Sequence, residues 1–509
     1  MRNAKNPHWL FWLGLCSPGL LPWASDYLPF QDWPGHLGVV GVILNYNEVD
    51  AQLPHYFEFS GGAGPNALMY WMIAGLANWL PPMDAGRIVL TLALGGLGPA
   101  MAWLCRSVGS DIRLAYFVLP LSLGKHVYCG FMPNACALVT GVCTMACYFQ
   151  MRTRQSRVRT SVLFLGFMLV THSFHVFVFL VVWGLLLAVA IWDCFVLRTK
   201  SAAARLSLVL ITVMSMVPHW LSFQGRSRGK AGALEAIYEA VISADRTQIF
   251  SQLWDWLFAS YRYSKIDDVL QAIWIGMCLV GLVTFMRAKS TSSQEQRQVR
   301  NCLWLMLAIT AFMFILLPSY IGPPVNWWGG NLRLPIFLGL LLVPLVGTWP
   351  DKNRMASWSL YGLNLFIVAL AVIDIWNFGR TEMRGFEEAI KAVPAGQKLT
   401  LLHWTPAEVH EYPGEPHGYA SNYYLLETGG FVPQNVFEHP DVLVQRKVSA
   451  PAPPWGQAEY FDWNRHSWSF DAFVVRRHAK FPDSPLHGIN QTRVELVHRS
   501  GEWSYYRRR

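Results

Sequence analysis

Two side chains in the first polar stretch of the chain have the chemistry of an acid–base pair. Asp32 and His36 lie four residues apart in the segment Asp32-Trp33-Pro34-Gly35-His36. The proline predicts that no regular helix runs through Asp32, because the residue before a proline is pushed towards extended geometry. A helix is expected over residues 35–46. The loop would then present the Asp32 carboxylate from a bend, either as a general base or as an N-cap that anchors the helix.

Other charged side chains lie at the ends of apolar segments, where a charge is costly unless it is paired or functional. Asp84 and Arg87 are three residues apart and can pair on one helix face. Arg333 follows a stretch rich in tryptophan and glycine. Its planar guanidinium suits a phosphate, and interfacial snorkelling explains it equally well. Lys125 and Arg262 are further cations of this kind.

The elements that must position these residues are hydrophobic. The chain has 509 residues, of which 53% are hydrophobic and only 14% are charged, whereas soluble domains carry about 25% charged residues. Apolar runs of about 17–22 residues are long enough to cross a bilayer core of roughly 30 Å. Since only helices satisfy their own backbone in lipid at this length, the sequence predicts a polytopic α-helical membrane protein.

The net charge of +9 would suggest nucleic acid in a soluble protein. Here the positive residues form short clusters between apolar runs, where they set membrane orientation, so no nucleic-acid partner is expected. When the helices are counted along the chain, these clusters face the cytoplasm if the segment Asn66–Leu80 lies along the outer surface and does not cross the membrane. The prediction is about eleven transmembrane helices, near 8–24, 86–104, 113–129, 133–150, 159–173, 175–196, 205–223, 269–287, 302–320, 334–350 and 357–377.

This count places the N-terminus in the cytoplasm and the C-terminal region outside. It predicts a transmembrane domain over residues 1–377, with a first extracytoplasmic loop at 25–83, and a small soluble α/β domain over residues 378–509. The strand-like runs of that domain are Lys398–His403, Ala472–Arg476, Arg493–Val497 and Trp503–Arg507, with a helix-compatible stretch at Phe386–Val393. Nothing in the chain indicates a disulfide framework or a zinc motif.

The layout and several short motifs resemble the GT-C superfamily of membrane glycosyltransferases, of bacterial type. The resemblance covers the membrane part loosely and includes the Asp32–Leu37 motif and Gly64–Trp71 leading to Ala85-Gly86-Arg87. It also includes Gly130-Phe131-Met132-Pro133-Asn134 and Asn331-Leu332-Arg333-Leu334-Pro335. The chain departs from the commonest pattern because Asp26 and Asp32 are six residues apart and not side by side.

The resemblance implies an enzyme that moves a sugar, with inversion, from a polyprenyl-phosphate donor to an acceptor hydroxyl on a lipid, glycan or protein. It implies Asp32 as the base and Arg333, with Lys125 or Arg262 as substitutes, as the group that neutralises the departing phosphate. It also implies a location in the inner (cytoplasmic) membrane. The remaining residues expected to bind substrate are His36, Asp26, Arg87 and Asn331.

Three points stay open on sequence grounds. A divalent cation, Mg²⁺ or Mn²⁺, could assist with Asp32 and His36 as ligands, but two side chains do not define a site. A transporter or flippase for an amphiphile would use Lys125, His126, Asp193 and Asp374 as a charge pathway, although repeated halves with interrupted helices are not visible. A non-catalytic membrane assembly protein would bind a partner through its outer domain.

Overall fold

The structure is a computed structural model of the full chain. It describes residues 8–59, 62, 64–153, 157–217, 240–241, 247, 249–257, 264–287, 294–321, 327–347, 349, 354–403, 414–433, 443–448, 456–477 and 493–509.

Helices dominate the described part of the chain. They are α1 (Trp9–Leu15), α2 (Trp33–Asn45), α3 (Leu53–Tyr56), α4 (Leu68–Leu76), α5 (Pro82–Ser107), α6 (Val118–Leu121), α7 (Lys125–Tyr128), α8 (Met132–Thr153), α9 (Arg157–Phe174), α10 (Val176–Leu197), α11 (Lys200–Thr212), α12 (Ile249–Leu257), α13 (Ser264–Arg287), α14 (Gln294–Leu316), α15 (Pro335–Leu345), α16 (Arg354–Thr381), α17 (Phe386–Lys391), α18 (Asn422–Glu427) and α19 (Trp463–His466).

The strands are short. They are β1 (Phe57–Phe59), β2 (Tyr320–Ile321), β3 (Trp327–Trp328), β4 (Leu399–His403), β5 (Val444–Arg446), β6 (Ala472–Arg476), β7 (Val494–Ser500) and β8 (Trp503–Arg508).

Five helices within the described ranges are long and apolar enough to cross a membrane, namely α5, α8, α10, α14 and the part of α16 from Trp358 to Thr381. Shorter apolar helical stretches occupy Ile112–Leu121, Val158–Phe174, Asp268–Val283 and Asn331–Leu345. The chain is therefore a multi-pass helical membrane protein, as predicted. The count of about eleven crossings stays a prediction. Two of the predicted spans are wrong as continuous helices, since 8–24 contains only the seven-residue α1 and 113–129 contains only the four-residue helices α6 and α7 beside 3₁₀ turns.

The segment Asn66–Leu80, which was expected to lie along the membrane surface, forms only the nine-residue helix α4. At a rise of 1.5 Å per residue, such a helix is about 14 Å long. It is therefore too short to cross a hydrocarbon core of roughly 30 Å.

The chain divides into two compact units. The first consists of Met1–Leu20, Thr91–His126 and Pro133–Ala371, and the second of Leu21–Leu90, Val127–Met132 and Val372–Arg509. The second unit thus combines the first polar loop with the C-terminal region.

A buried ion-pair cluster joins three helices of the first unit. Asp193 on α10 is fully buried, and both of its carboxylate oxygens lie 3.0 Å from Arg152 Nε of α8. Arg205 of α11 donates to the same carboxylate at 3.0 Å, and the Tyr148 hydroxyl donates to it at 3.3 Å. Because a buried carboxylate is stable only when it is paired and hydrogen-bonded, this cluster fixes the register of α8, α10 and α11.

A four-stranded mixed sheet in the order β4-β6-β8-β7 organises the C-terminal part of the second unit. β4 and β6 run parallel, and β8 is antiparallel to both β6 and β7. The four strands fall on the four predicted runs, and α17 falls on the predicted helical stretch. Apolar side chains of β4, β6 and β8 form a core with α19, which includes Leu402, Trp463, Phe470, Phe473, Val475 and Tyr506.

The first polar loop is joined to this C-terminal region by several contacts, which include one strand pair and one helix pair. β1 pairs antiparallel with β5, with Phe57 opposite Arg446. α2 packs on α18 at two glycines, since a Cβ atom on Gly41 would lie 2.6 Å from the Leu425 carbonyl oxygen and one on Gly38 would lie 2.7 Å from Asn422 Oδ1. Only glycine allows the two helices to approach this closely.

Candidate functional site

Asp32 occupies the N-cap position of α2. Its backbone angles, φ −85° and ψ −8°, are helical, and the helix begins at Trp33 with Pro34 in the first turn. The helix therefore does not run through Asp32, as the proline predicted, but it starts two residues earlier than expected, because proline is tolerated in the first helical turn, where its missing N–H has no partner to lose. The side chain makes no N-cap hydrogen bond. The structure thus gives no support to the interpretation of Asp32 as a helix anchor.

The backbone of Asp32 is held by the segment between α7 and α8. The amides of Gln31 and Asp32 donate to the carbonyl oxygens of Tyr128, at 2.8 Å, and Cys129, at 3.3 Å. Next along the chain, Gly130 has φ +83°, and a Cβ atom on it would lie 2.8 Å from Asp32 Cα. The Asp32 carboxylate itself is half-buried, with Oδ1 accepting from Gln31 Nε2 at 3.3 Å. The residue is therefore fixed by its backbone, while its carboxylate keeps access to solvent.

Both ring nitrogens of His36 are bonded within the protein. The Gly130 carbonyl lies 3.1 Å from Nε2, which must donate to it, so Nδ1 accepts from the Tyr70 hydroxyl at 2.9 Å. Burial lowers the pKa of His36 to about 4, with a smaller opposing effect from the Gly130 bond. Burial, and then the charge of Asp32, raise the pKa of Tyr70. A neutral imidazole thus ties α2 to α4 and to the Gly130 segment.

Tyr70 and Gly130 are the two members of this group that sequence reasoning did not single out individually. Each appeared only inside a longer motif. The signal for Gly130 was its position two residues before α8, a helix whose first turn contains Pro133. Nothing in the sequence distinguished Tyr70 from its aromatic neighbours.

Asp26 and Arg87, both expected to bind substrate, contact each other. Arg87 forms an ion pair with Asp26 and another, at 2.8 Å, with Asp84. The second pair is the one predicted from their spacing on α5. The guanidinium also lies 5.8 Å from the centre of the Trp23 ring. Arg87 is 13% exposed, whereas the Asp26 side chain is 77% exposed.

Lys125, Asn331 and Arg333 belong to the first unit. Lys125 Nζ lies 5.5 Å from the centre of the Trp256 ring of α12, and the Arg333 guanidinium lies 5.8 Å from the centre of the Phe177 ring of α10. Asn331 is buried, in the 3₁₀ turn that carries Arg333. Both cations therefore lie over aromatic faces, a geometry that holds a positive side chain in place. Arg262 lies outside the described residues.

The donor set does not fit the divalent cation considered from sequence. His36 would have to give up the Tyr70 or the Gly130 hydrogen bond to coordinate a metal. Among the described residues, no group of three or more histidine, cysteine, aspartate or glutamate side chains could hold a metal ion.

Comparison with solved structures identifies the fold. No protein-family profile and no curated protein sequence matches the chain. The chain shares the fold of a solved membrane protein, ArnT, which confirms the predicted resemblance at the level of the fold. The similar structures include ArnT from Cupriavidus metallidurans bound to undecaprenyl phosphate, with a TM-score of 0.53 and 14% identity over 98% of this chain and 97% of ArnT.

An oligosaccharyltransferase from Archaeoglobus fulgidus, in complex with Zn and sulfate, is also similar. Its TM-score is 0.45 and its identity 9%, over 92% of this chain and 68% of that protein.

Proposed function

We propose that the protein is a membrane glycosyltransferase that moves a sugar from a polyprenyl-phosphate donor to an acceptor hydroxyl, with inversion at the anomeric carbon. The observation that carries the proposal is Asp32. In a chain that shares the fold of ArnT, this partly exposed carboxylate lies at the start of α2, on a segment that backbone hydrogen bonds to Tyr128 and Cys129 fix in place. Such an arrangement suits a group that must meet a substrate.

Asp32 acts as the general base of this reaction. Its carboxylate takes the proton of the acceptor hydroxyl while that oxygen forms a bond to the anomeric carbon. The bond from the anomeric carbon to the phosphate oxygen breaks, and the polyprenyl phosphate leaves with the electron pair. A single displacement of this kind inverts the configuration at the anomeric carbon.

The departing lipid phosphate carries negative charge, which a fixed cation stabilises. Arg333 is the proposed partner, because its guanidinium can bind phosphate oxygens bidentately and is held over Phe177. Lys125, held over Trp256, is the second candidate. The fold-level likeness to ArnT bound to undecaprenyl phosphate supports a polyprenyl lipid as the carrier. Asn331 is proposed to contact the same lipid head from the turn that it shares with Arg333.

His36 and Arg87 contribute to this function by positioning. Both His36 nitrogens are already bonded, so its contribution is to hold Gly130 and Tyr70 next to Asp32. Arg87 holds Asp26, whose exposed carboxylate is the part of that pair able to meet a substrate. The orientation that goes with this function has a cytoplasmic N-terminus, an inner-membrane location and an extracytoplasmic C-terminal α/β domain.

The transporter alternative uses Lys125, His126, Asp193 and Asp374 as a charge pathway within the membrane. Asp193, one of those charges, accepts hydrogen bonds from Arg152, Arg205 and Tyr148 in the structure. A carboxylate that joins three helices in this way supports a structural role better than a role in a charge pathway. This contact favours the transferase over the transporter.

The test is Asp32→Asn in the purified full-length chain, assayed for sugar transfer from a panel of polyprenyl-phosphate sugars. We expect transfer to fall about 10²- to 10⁴-fold, the usual contribution of general base catalysis, with the melting temperature unchanged. Asp50→Asn, an exposed aspartate of the same loop, is the matched control and should transfer at the wild-type rate. Full activity of Asp32→Asn would refute the base assignment.

A further inference from the structure

The first turn of α8 contains a buried amide that the protein itself does not satisfy. Asn134 is completely buried. Neither its Nδ2 nor its Oδ1 atom has a hydrogen-bond partner in the part of the chain that the structure describes. Buried polar groups are almost always hydrogen-bonded, because leaving them unpaired costs free energy. An amide with both ends unpaired therefore keeps its full capacity to hydrogen-bond a ligand.

The packing of α8 on α10 shows where this amide is. A Cβ atom on Gly141 would lie 3.0 Å from Val182 Cγ2, and Arg152 pairs with Asp193 further along the same two helices. In both contacts the α10 residue follows the α8 residue by the same number of positions, 41, because 182 − 141 and 193 − 152 are equal. The two helices therefore run parallel with a constant register. Asn134 precedes Gly141 by two helical turns and lies on the same helix face. By this register, Asn134 is level with His175 at the start of α10.

Three further groups occur at this end of α10. The His175 ring lies 6.5 Å from the Phe177 ring, and the Arg333 guanidinium lies 5.8 Å from the centre of the Phe177 ring. An imidazole and a guanidinium thus lie at the beginning of α10, and the helix register puts the Asn134 amide at the same level. All of these residues belong to the first unit of the chain.

We propose that Asn134 binds hydroxyl groups of the donor sugar, an inference that rests on the proposed transferase function. An amide offers N–H donors on one side and a carbonyl acceptor on the other. Neighbouring hydroxyls of a sugar ring can accept from the first and donate to the second. An ionised phosphate only accepts, so it would leave the carbonyl oxygen unpaired. The requirement to satisfy both ends of the amide therefore selects a sugar over the lipid phosphate.

The experiment measures binding by thermal unfolding of the full-length protein in lipid nanodiscs. The probes are undecaprenyl phosphate alone and the same lipid phosphate carrying arabinose, mannose or glucose. In the wild type we expect one sugar-bearing lipid to stabilise the protein more than undecaprenyl phosphate does. The key variant is Asn134→Leu, with Asn134→Ala as a second variant if the first does not fold. The matched control is Asn364→Leu, which also replaces a fully buried helical amide.

Asn134→Leu should melt at a higher temperature than the wild type without lipid, because it removes an unpaired buried amide. It should respond normally to undecaprenyl phosphate and bind the sugar-bearing lipid at least tenfold more weakly. The Asn364→Leu control should keep the wild-type response to both lipids.

The other outcomes separate the possible errors. If Asn134→Leu binds the sugar-bearing lipid as the wild type does, the amide meets only water and the inference is wrong. If Asn134→Leu also fails to bind undecaprenyl phosphate, the amide contacts the phosphate, and the assignment to the sugar is wrong. If the wild type itself responds to none of these lipids, the proposed function fails, and the sugar site fails with it.

Discussion

Gly130 lies directly against the backbone of Asp32. A Cβ atom on Gly130 would approach both Cα and Cβ of Asp32 to 2.8 Å, closer than real Cβ contacts occur. The same glycine supplies the carbonyl that accepts from His36 and adopts φ +83°, which disfavours any side chain. The position of the candidate base therefore depends on the absence of a single side chain on the neighbouring segment.

Gly130→Ala should displace Asp32 and lower sugar transfer about a hundredfold, the loss expected for a misplacement of about 1 Å. Measuring transfer and melting temperature together tests this. Gly109→Ala is the matched control, because Gly109 also has positive φ, +78°, but its Cβ atom would meet nothing closer than 3.5 Å. The control variant should lose about 1–2 kcal/mol of stability through backbone strain and keep full activity. Equal activity in the two alanine variants would contradict the role of Gly130.

Tyr70→Phe should destabilise the protein by about 1–3 kcal/mol. The change removes the hydroxyl that donates to His36 Nδ1 and leaves a buried ring nitrogen unsatisfied. Chemical or thermal unfolding in detergent measures the loss. Tyr46→Phe removes a half-buried hydroxyl that donates to the Phe57 carbonyl at 3.2 Å, and it should cost less. An effect of Tyr70→Phe no larger than that of Tyr46→Phe would show that the His36 bond contributes little.

The protein should lose stability as the pH falls from about 6.5 towards 4. Burial lowers the pKa of His36 and of His417 to about 4 in the folded protein, with Arg476 adding to the effect at His417. The unfolded chain therefore binds protons at these residues first, and each contributes a loss of up to about 1.4 kcal/mol per pH unit across that interval. Well above pH 6.5 both histidines are neutral in the folded and in the unfolded protein, so their contribution to stability no longer changes with pH.

Melting temperatures recorded between pH 7.5 and 4.5 test this prediction. His36→Gln and His417→Gln should each be less stable at neutral pH and should each show a shallower fall on acidification. His55→Gln, at an exposed histidine of the first loop, is the control and should follow the wild-type curve. A wild-type curve that is flat down to pH 4.5 would rule out buried neutral histidines at these positions.

Arg87→Ala should destabilise the protein more than Asp26→Ala does. The arginine loses two carboxylate partners and its contact with Trp23, whereas the Asp26 side chain is 77% exposed. An exposed ion pair contributes about 0–1 kcal/mol, so the coupling energy in a double-mutant cycle should fall in that range. A larger coupling would mean that the Asp26 pair is shielded from water.

Asp193→Asn should destabilise the protein by about 3–5 kcal/mol, because it leaves two buried guanidinium groups without their shared carboxylate. Glu387→Gln is the control, since it breaks a surface pair with Lys391 in which both side chains are about half exposed, and it should leave the stability close to that of the wild type. Wild-type stability of Asp193→Asn would contradict the structural role of Asp193 and would support a functional role for its charge.

The sequence predicted the elements whose pattern is local. The four C-terminal strands could be located from β-branched and aromatic runs, and the long apolar helices could be located from length and hydropathy. The same signal failed at 8–24 and 113–129, which form only short helices. The Asp84–Arg87 pair followed from helical spacing. Each of these features depends on residues that are close together in the chain, so composition and periodicity were enough.

The features that the sequence did not reveal depend on contacts between distant segments. The His36–Tyr70 bond joins residues 34 positions apart, and Gly130 meets Asp32 and His36 from much further along the chain. Arg87 could be paired with Asp84 from spacing, but its second partner, Asp26, lies 61 positions away. The start of α2 was placed two residues too late, because the residue before a proline was expected to be extended, whereas Trp33 is already helical and Pro34 falls in the first turn, where proline is tolerated.

The pairing of β1 with β5 has a consequence for biosynthesis. Phe57–Phe59 leaves the ribosome long before Val444–Arg446, so the edge of β1 must wait for most of the chain to be made. An unpaired strand edge is a site of misassembly in a folding intermediate. Chains that stop before residue 444 should therefore be recognised by quality-control proteases, even when every membrane-crossing helix has been inserted.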